Sequence, residues 1–81
     1  MIHILFFAQI RELVGIDSLQ LVAAFPTVES LRQALCQRGE HWQLALGTGA
    51  VLAAVNQLLV NLEHPLSVGD EVAFFPPVTG G

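Results

Sequence analysis

The last eight residues, Phe74-Phe75-Pro76-Pro77-Val78-Thr79-Gly80-Gly81, put an α-carboxylate at the end of a segment suited to leaving a fold. Pro76 and Pro77 have no backbone donor and a fixed φ, so they stop a sheet ladder and hold the chain extended. Gly80 and Gly81 carry no Cβ, so a narrow channel could close on their backbone and the carboxylate is sterically open. The five residues from Pro77 to Gly81 reach about 16 Å when extended, at roughly 3.3 Å each. That is far enough to enter another protein's active site. Frayed termini are often rich in glycine for no functional reason, but the two prolines ahead of these glycines argue for a purpose.

A carboxylate resists nucleophiles because its charge repels them and its oxygen leaves poorly, so it must be activated. Adenylation would do this. The chain has no glycine-rich phosphate loop ending in Lys-Ser or Lys-Thr, and no lysine at all, so the activating enzyme is expected to be a separate protein. The lack of lysine also removes any side-chain amine for an isopeptide bond to another copy. Other reactive residues form no constellation. His3, His41 and His64 are too scattered for a metal site, and Cys36 has no partner at a telling spacing, so it reads as a small packed residue. Asp70 and Glu71 are adjacent and would point to opposite sides of a strand, which does not make a carboxylate pair.

With 81 residues the chain is expected to be one domain with a single modest core. At 53% hydrophobic and 12% charged it is too apolar to be disordered, and some apolar surface should face a partner. Seven acidic residues against three arginines give a net charge of −4, which would repel a phosphate backbone and argues against nucleic acid or an anionic membrane surface. Gln9, Arg11, Glu12 and Asp17 interrupt the N-terminal apolar run, so it is not a membrane span, and no basic region or cleavage site marks a secretory signal. The expected location is the cytoplasm, where a lone cysteine is in keeping with reducing conditions.

The elements that must hold the tail follow from pattern. Residues 2–8 are β-branched and aromatic and read as a strand, followed by a turn or two of helix over Gln9–Val14 that Gly15 ends. Ser18–Val22 alternates as a second strand, antiparallel to the first. Thr27 sits at an N-cap, and Val28, Leu31 and Leu35 recur at helical spacing up to Gly39, which would cap the C-terminus. Residues 40–49 fit a short helix or a packed loop. Ala50–Val55 and Leu58–Leu62 read as strands around an Asn56-Gln57 turn, and Glu71–Phe75 as the last strand after the Ser67–Asp70 turn. Strand, strand, helix, strand, strand, strand predicts an α+β fold of the β-grasp type, a mixed sheet of about five strands on one main helix with first and last strands parallel. A ferredoxin-like fold would want a second full helix in the middle. The division is a β-grasp domain over residues 1–76 and an extended tail over 77–81.

Alternation divides each strand into two faces. Ile2, Ile4 and Phe6, then Val72 and Phe74, then Leu58, Val60 and Leu62 should pack on Val28, Leu31 and Leu35. The opposite positions should be polar in a sheet covered on one side, yet they include Leu5, Phe7, Leu59, Ala73 and Phe75. Local loops could cover them, or they form a docking surface centred on Phe7, Leu59 and Phe75 with Arg11 at its rim.

The segments LFFAQIRELVG at 5–15, AVNQ at 54–57 and GDEVAFFPPVTGG at 69–81 resemble the small subunits of molybdopterin synthase, sulfur carriers of molybdenum cofactor biosynthesis. The resemblance spans both ends of the chain. It implies that an enzyme similar to ubiquitin-activating enzymes adenylates Gly81 with ATP, that a sulfur donor converts the adenylate to a thiocarboxylate, and that the tail then enters the large subunit. There sulfur passes to a cyclic pterin precursor within a heterotetramer. It also implies that Pro76, Pro77, Val78, Thr79 and Gly80 serve as the arm, that this chain binds no cofactor, and that the acid-base groups and pterin pocket belong to the large subunit. The sulfur carrier of thiamin thiazole synthesis shares the Gly-Gly end and is one alternative. A ubiquitin-like modifier, whose Gly81 would join target lysines, is another, and a purely structural interaction domain a third.

Overall fold

The alternation of Ile2, Ile4 and Phe6 with His3 and Leu5 produces β1 (Ile2–Phe6), in which the first set is buried and the second is not. The remaining elements are α1 (Ala8–Val14), β2 (Ser18–Leu21), α2 (Val28–Cys36), α3 (Glu40–Leu46), β3 (Leu52–Val55), β4 (Leu58–Val60) and β5 (Glu71–Phe75). The structure, a computed structural model, describes residues 1–22, 25–47 and 51–77. Val78, Thr79, Gly80 and Gly81, and Ala50 at the expected start of β3, lie outside the described residues.

Among the described residues, five strands form one mixed sheet in the order β2-β1-β5-β3-β4. β1 pairs parallel with β5, with Phe6 opposite Phe74, and the other neighbours pair antiparallel. A parallel pair needs a long crossover, and here the chain between β1 and β5 carries the helices and three other strands. This is the β-grasp fold expected from the element order. The helical faces of β1, β3 and β5 supply Ile2, Ile4, Phe6, Ala53, Val55, Val72 and Phe74 to one buried cluster with Val28, Leu31 and Leu35 of α2. Burying each such aliphatic or aromatic side chain stabilises the fold by roughly 1.5–3 kcal/mol relative to leaving it exposed. Phe6 stacks on Phe74 at a centroid distance of 6.4 Å and receives the edge of Trp42 at 5.5 Å, which ties α3 to the sheet.

Local caps explain the helix limits. Thr27 accepts from the Ser30 N–H at 3.2 Å, and the Ser30 hydroxyl accepts from the Thr27 N–H at 3.1 Å, a reciprocal box at the start of α2. The loop after β4 completes that end: the Val28 and Glu29 N–H groups donate to the His64 and Leu62 carbonyls at 3.0 and 2.8 Å. Gly15 closes α1 in the left-handed region, φ 83°, as its sequence position suggests. Arg32 forks onto Glu29 at 2.8 and 2.6 Å and donates its remaining Nη1 to the Leu46 carbonyl at 2.6 Å, so a side chain of α2 satisfies the C-terminus of α3.

Several expectations are corrected. Gly39 does not cap α2, which ends at Cys36 when the Gln37 and Arg38 N–H groups fold back onto Ala34 and Leu35. Gly39 instead stands before α3, with φ 155°. Residues 40–46 are a true helix packed on α1 and α2, yet the strand order remains that of the β-grasp. β1 ends at Phe6 because Ala8 turns into the left-handed region, φ 54°, and carries the chain into α1. β4 ends at Val60 because Asn61 forms a side-chain turn with the Glu63 N–H at 3.0 Å. Leu58, expected in the core, is 71% exposed: it sits beside the hairpin turn at the sheet edge, past the cover of the helices.

Candidate functional site

β5 determines where the tail leaves. Its alternation buries Val72 and Phe74 and leaves Phe75 half-buried on the other side, and the strand stops at Phe75 as Pro76 begins. Pro76 is half-buried and Pro77 exposed. At the opposite end of β5 a polar lock holds the strand in register. The Asn56 side-chain amide donates to Asp70 Oδ1 at 3.0 Å, the Asn56 Oδ1 accepts from the Glu71 N–H at 3.1 Å, and the Asp70 Oδ2 accepts from the Ser67 N–H at 2.8 Å. Asn56 and Gln57 both have positive φ, 50° and 71°, as a type I′ hairpin requires, and Asn tolerates that region better than most residues. The backbone donor of Ser67, and then the Asn56 amide, hold the Asp70 carboxyl below its usual range. AVNQ and GDE are thus a structural clamp on the base of the strand whose far end leads into Pro76 and Pro77.

On the outer face of the sheet His3, Gln20, Glu71 and Ser18 make one end polar, and the end toward Pro76 is apolar. Register places Leu5 beside Ala73, Ala73 beside Ala54 and Ala54 beside Leu59, one row across four strands, while Leu52 lies beside Phe75 in the next row. Phe7 extends that second row, since its N–H donates to the Phe74 carbonyl at 3.2 Å. Phe7 and Phe75 therefore flank the exit, with Phe7 46% exposed. Leu59, 68% exposed, stands at the far edge, three strand spacings from β1 or about 14 Å. Arg11, on α1, is exposed and lines a cleft with Leu5, Phe7 and Asp17 at the other side of the face. The four anticipated contact residues thus share one surface without forming a cluster: Phe7, Phe75 and Arg11 are near the exit and Leu59 is remote.

Leu52 and Ala54 belong to the same surface and were not anticipated, because VLAAV reads as a strand buried on both sides. The alternation of Val51, Ala53 and Val55 with Leu52 and Ala54 was the available signal. Elsewhere, Cys36 is half-buried on α2, where desolvation pushes its thiol up, away from the thiolate form that would make it a nucleophile. Among the described residues no three His, Cys, Asp or Glu side chains are grouped to hold a metal ion, and no helix is long and apolar enough to cross a membrane.

Among the described residues, the site is therefore the end of β5 and Pro76 beside the apolar side chains Phe7, Phe75 and Leu52, with Leu59 at the far edge. Residues 4–81 match the ThiS family model. The chain belongs to the ThiS family. Within it, this chain is 63% identical to the molybdopterin synthase sulfur carrier subunit of Escherichia coli, over the whole of both sequences. It is 54% identical to the protein of the same name from Haemophilus influenzae, again over the whole of both. Among solved structures it is similar to a chain in the complex of subunits 1 and 2 of molybdopterin-converting factor from Helicobacter pylori, with 31% identity, a TM-score of 0.67, and coverage of 99% of this chain and 97% of that one. The ThiS-family match takes in the segment 40–49 as well as both ends of the chain.

Proposed function

We propose that this ThiS-family chain is the sulfur carrier subunit of a molybdopterin synthase and that Gly81 is its reacting residue. The observation that carries the reading is the ending of β5: an ordered strand stops at Phe75, two prolines follow, and four residues remain beyond Pro77, beside an apolar face that the fold does not cover. The identities of 63% and 54% to carriers of that name support it over a thiamin-pathway carrier.

In the proposed cycle a Gly81 carboxylate oxygen attacks the α-phosphorus of ATP in an activating enzyme, and pyrophosphate leaves. A sulfur donor, as a sulfide equivalent, attacks the acyl carbon, and AMP departs with that oxygen, leaving a thiocarboxylate. The tail then enters the large subunit, where the sulfur attacks an electrophilic carbon of the pterin and the oxygen substituent of that carbon leaves, taking a proton from the large subunit. Water cleaves the acyl–sulfur bond and Gly81 returns as a carboxylate. Thiocarboxylate sulfur is more polarisable than oxygen and stays ionised at neutral pH, which suits it to the attack. Phe7, Leu59 and Phe75, with Leu52 and Ala54 between them, supply the docking face, and Arg11 a charged contact at its rim.

Reconstitution tests the reading. Purified chain in its free-acid and thiocarboxylate forms, and a version extended by one residue after Gly81, are mixed with a large subunit and the pterin precursor. Only the thiocarboxylate form should yield product, stoichiometrically, and the extended chain, incubated separately with activating enzyme, ATP and a sulfur donor, should gain no sulfur. Product from the free acid at the same level would end the proposal.

A further inference from the structure

Across the end of β5 from the open face lies a groove of about 240 Å³, lined by Gln9, Ile10 and Leu13 of α1, Leu44 and Ala45 of α3, Val51, Pro76 and Pro77. Its floor is core, since Ile10 and Val51 are buried. Its rim is not: Leu44 is 59% exposed, whereas Ala45 and Leu46 of α3 are buried and Trp42 packs on Phe6. Among the described residues no charged side chain lines this groove, in a chain of net charge −4.

We infer that this groove receives an apolar side chain from the rim of the large subunit's tail channel, as a second contact on the opposite side of the tail from the sheet face. The inference rests on the function proposed above. The four residues from Val78 to Gly81, the reacting residue proposed above, span at most about 14 Å. A protein that encloses Gly81 must therefore bring its channel mouth against the residues around Pro77, on both sides of the tail. One side offers Phe7 and Phe75, and the other offers the groove. Gln9 is the one polar residue among the eight that line the groove, and its amide could pair at most a neutral polar atom at the edge; a charged group set among Ile10, Leu13, Leu44 and Val51 would lose hydration without compensation, so the occupant is an aliphatic or aromatic side chain. Two flanking contacts also do what one face cannot. A tilt of about 10° on the face alone would swing a tip about 14 Å away by about 2 Å, and misplacement of about 1 Å costs on the order of a hundredfold in rate.

The test titrates the full chain into purified large subunit and measures affinity by calorimetry. Leu44→Glu should bind at least tenfold more weakly with its thermal midpoint unchanged, and Leu44→Met should bind within twofold of the original. If Leu44→Glu shifts the midpoint, Leu44→Ser is scored in its place by the same criteria. Unchanged affinity in the folded Leu44 variant, while Leu59→Ser on the sheet face is weakened, overturns the groove contact and leaves the proposed function standing. Unchanged affinity in both variants removes the sheet face as a docking surface and the groove with it.

Discussion

The two faces of one sheet are built from the same strands and nearly the same kinds of residue, yet they have opposite fates. Phe74 is fully buried against Phe6 and α2, while its neighbour Phe75 points away and keeps part of its surface. Ala53 and Val55 are buried, and Ala54 and Leu52 one residue away are not. Hydrophobicity by itself does not distinguish these positions. What separates them is whether an element of the fold lies over them: among the described residues, Ile10 of α1, Val28, Leu31 and Leu35 of α2 and Ala45 and Leu46 of α3 join the buried cluster with the inner-face residues of the strands. The apolar residues on the other face contribute little to folding, so their presence points to a partner.

Three substitutions would sharpen or break that contrast. Phe74→Ala should produce the largest effect, a loss of about 3–5 kcal/mol of stability from the cavity it leaves, read as a lower midpoint in chemical unfolding. A small effect would mean that the inner face is not closely packed. Leu59→Ser, on the exposed face, should leave unfolding within about 0.5 kcal/mol of the original. Its affinity for the large subunit should drop by at least about 1 kcal/mol, or roughly fivefold. A stability loss comparable to that of Phe74→Ala would erase the distinction between the faces. The smallest effect tests the polar lock, which belongs to neither face. The Asp70 carboxyl is held below its unfolded value by the Ser67 N–H and Asn56, so its contribution is complete above the unfolded pKa of about 3.9 and is lost as pH falls through the lower folded value. Asp70→Asn should therefore flatten the acid end of a melting-temperature profile below about pH 4 without changing affinity for the large subunit. An unaltered acid limb would remove Asp70 from that account.

Much of the fold was legible because its signals are local. Thr27 ahead of Val28, Gly15 after Val14, and Asn56-Gln57 between two short apolar runs each specify a cap or turn through nearby backbone geometry. Gly39 misled because a glycine after an amphipathic run suits a helix C-terminus and, equally, the start of the next helix; the choice depended on Gln37 and Arg38 closing α2 earlier. Leu58 misled for another reason. Alternation assigns it to the side of Val55, but says nothing of whether a helix extends that far. Of the proposed docking surface, the sequence suggested Phe7, Phe75, Leu59 and Arg11 from their strands and their neighbours, whereas Leu52 and Ala54 came beside them only when β3 was placed between β5 and β4.

By itself, then, the chain's order of residues specified which side of each strand a residue takes, where the turns fall, and a terminus of two prolines and two glycines suited to reaching outward. Those properties depend on neighbours within a few positions. Tertiary structure decided that Phe7 and Phe75 flank the exit, that Asn56 clamps the base of β5, and that α1 and α3 leave a groove beside Pro76 and Pro77. These depend on strand order, register and helix packing, which bring together residues that are distant along the chain.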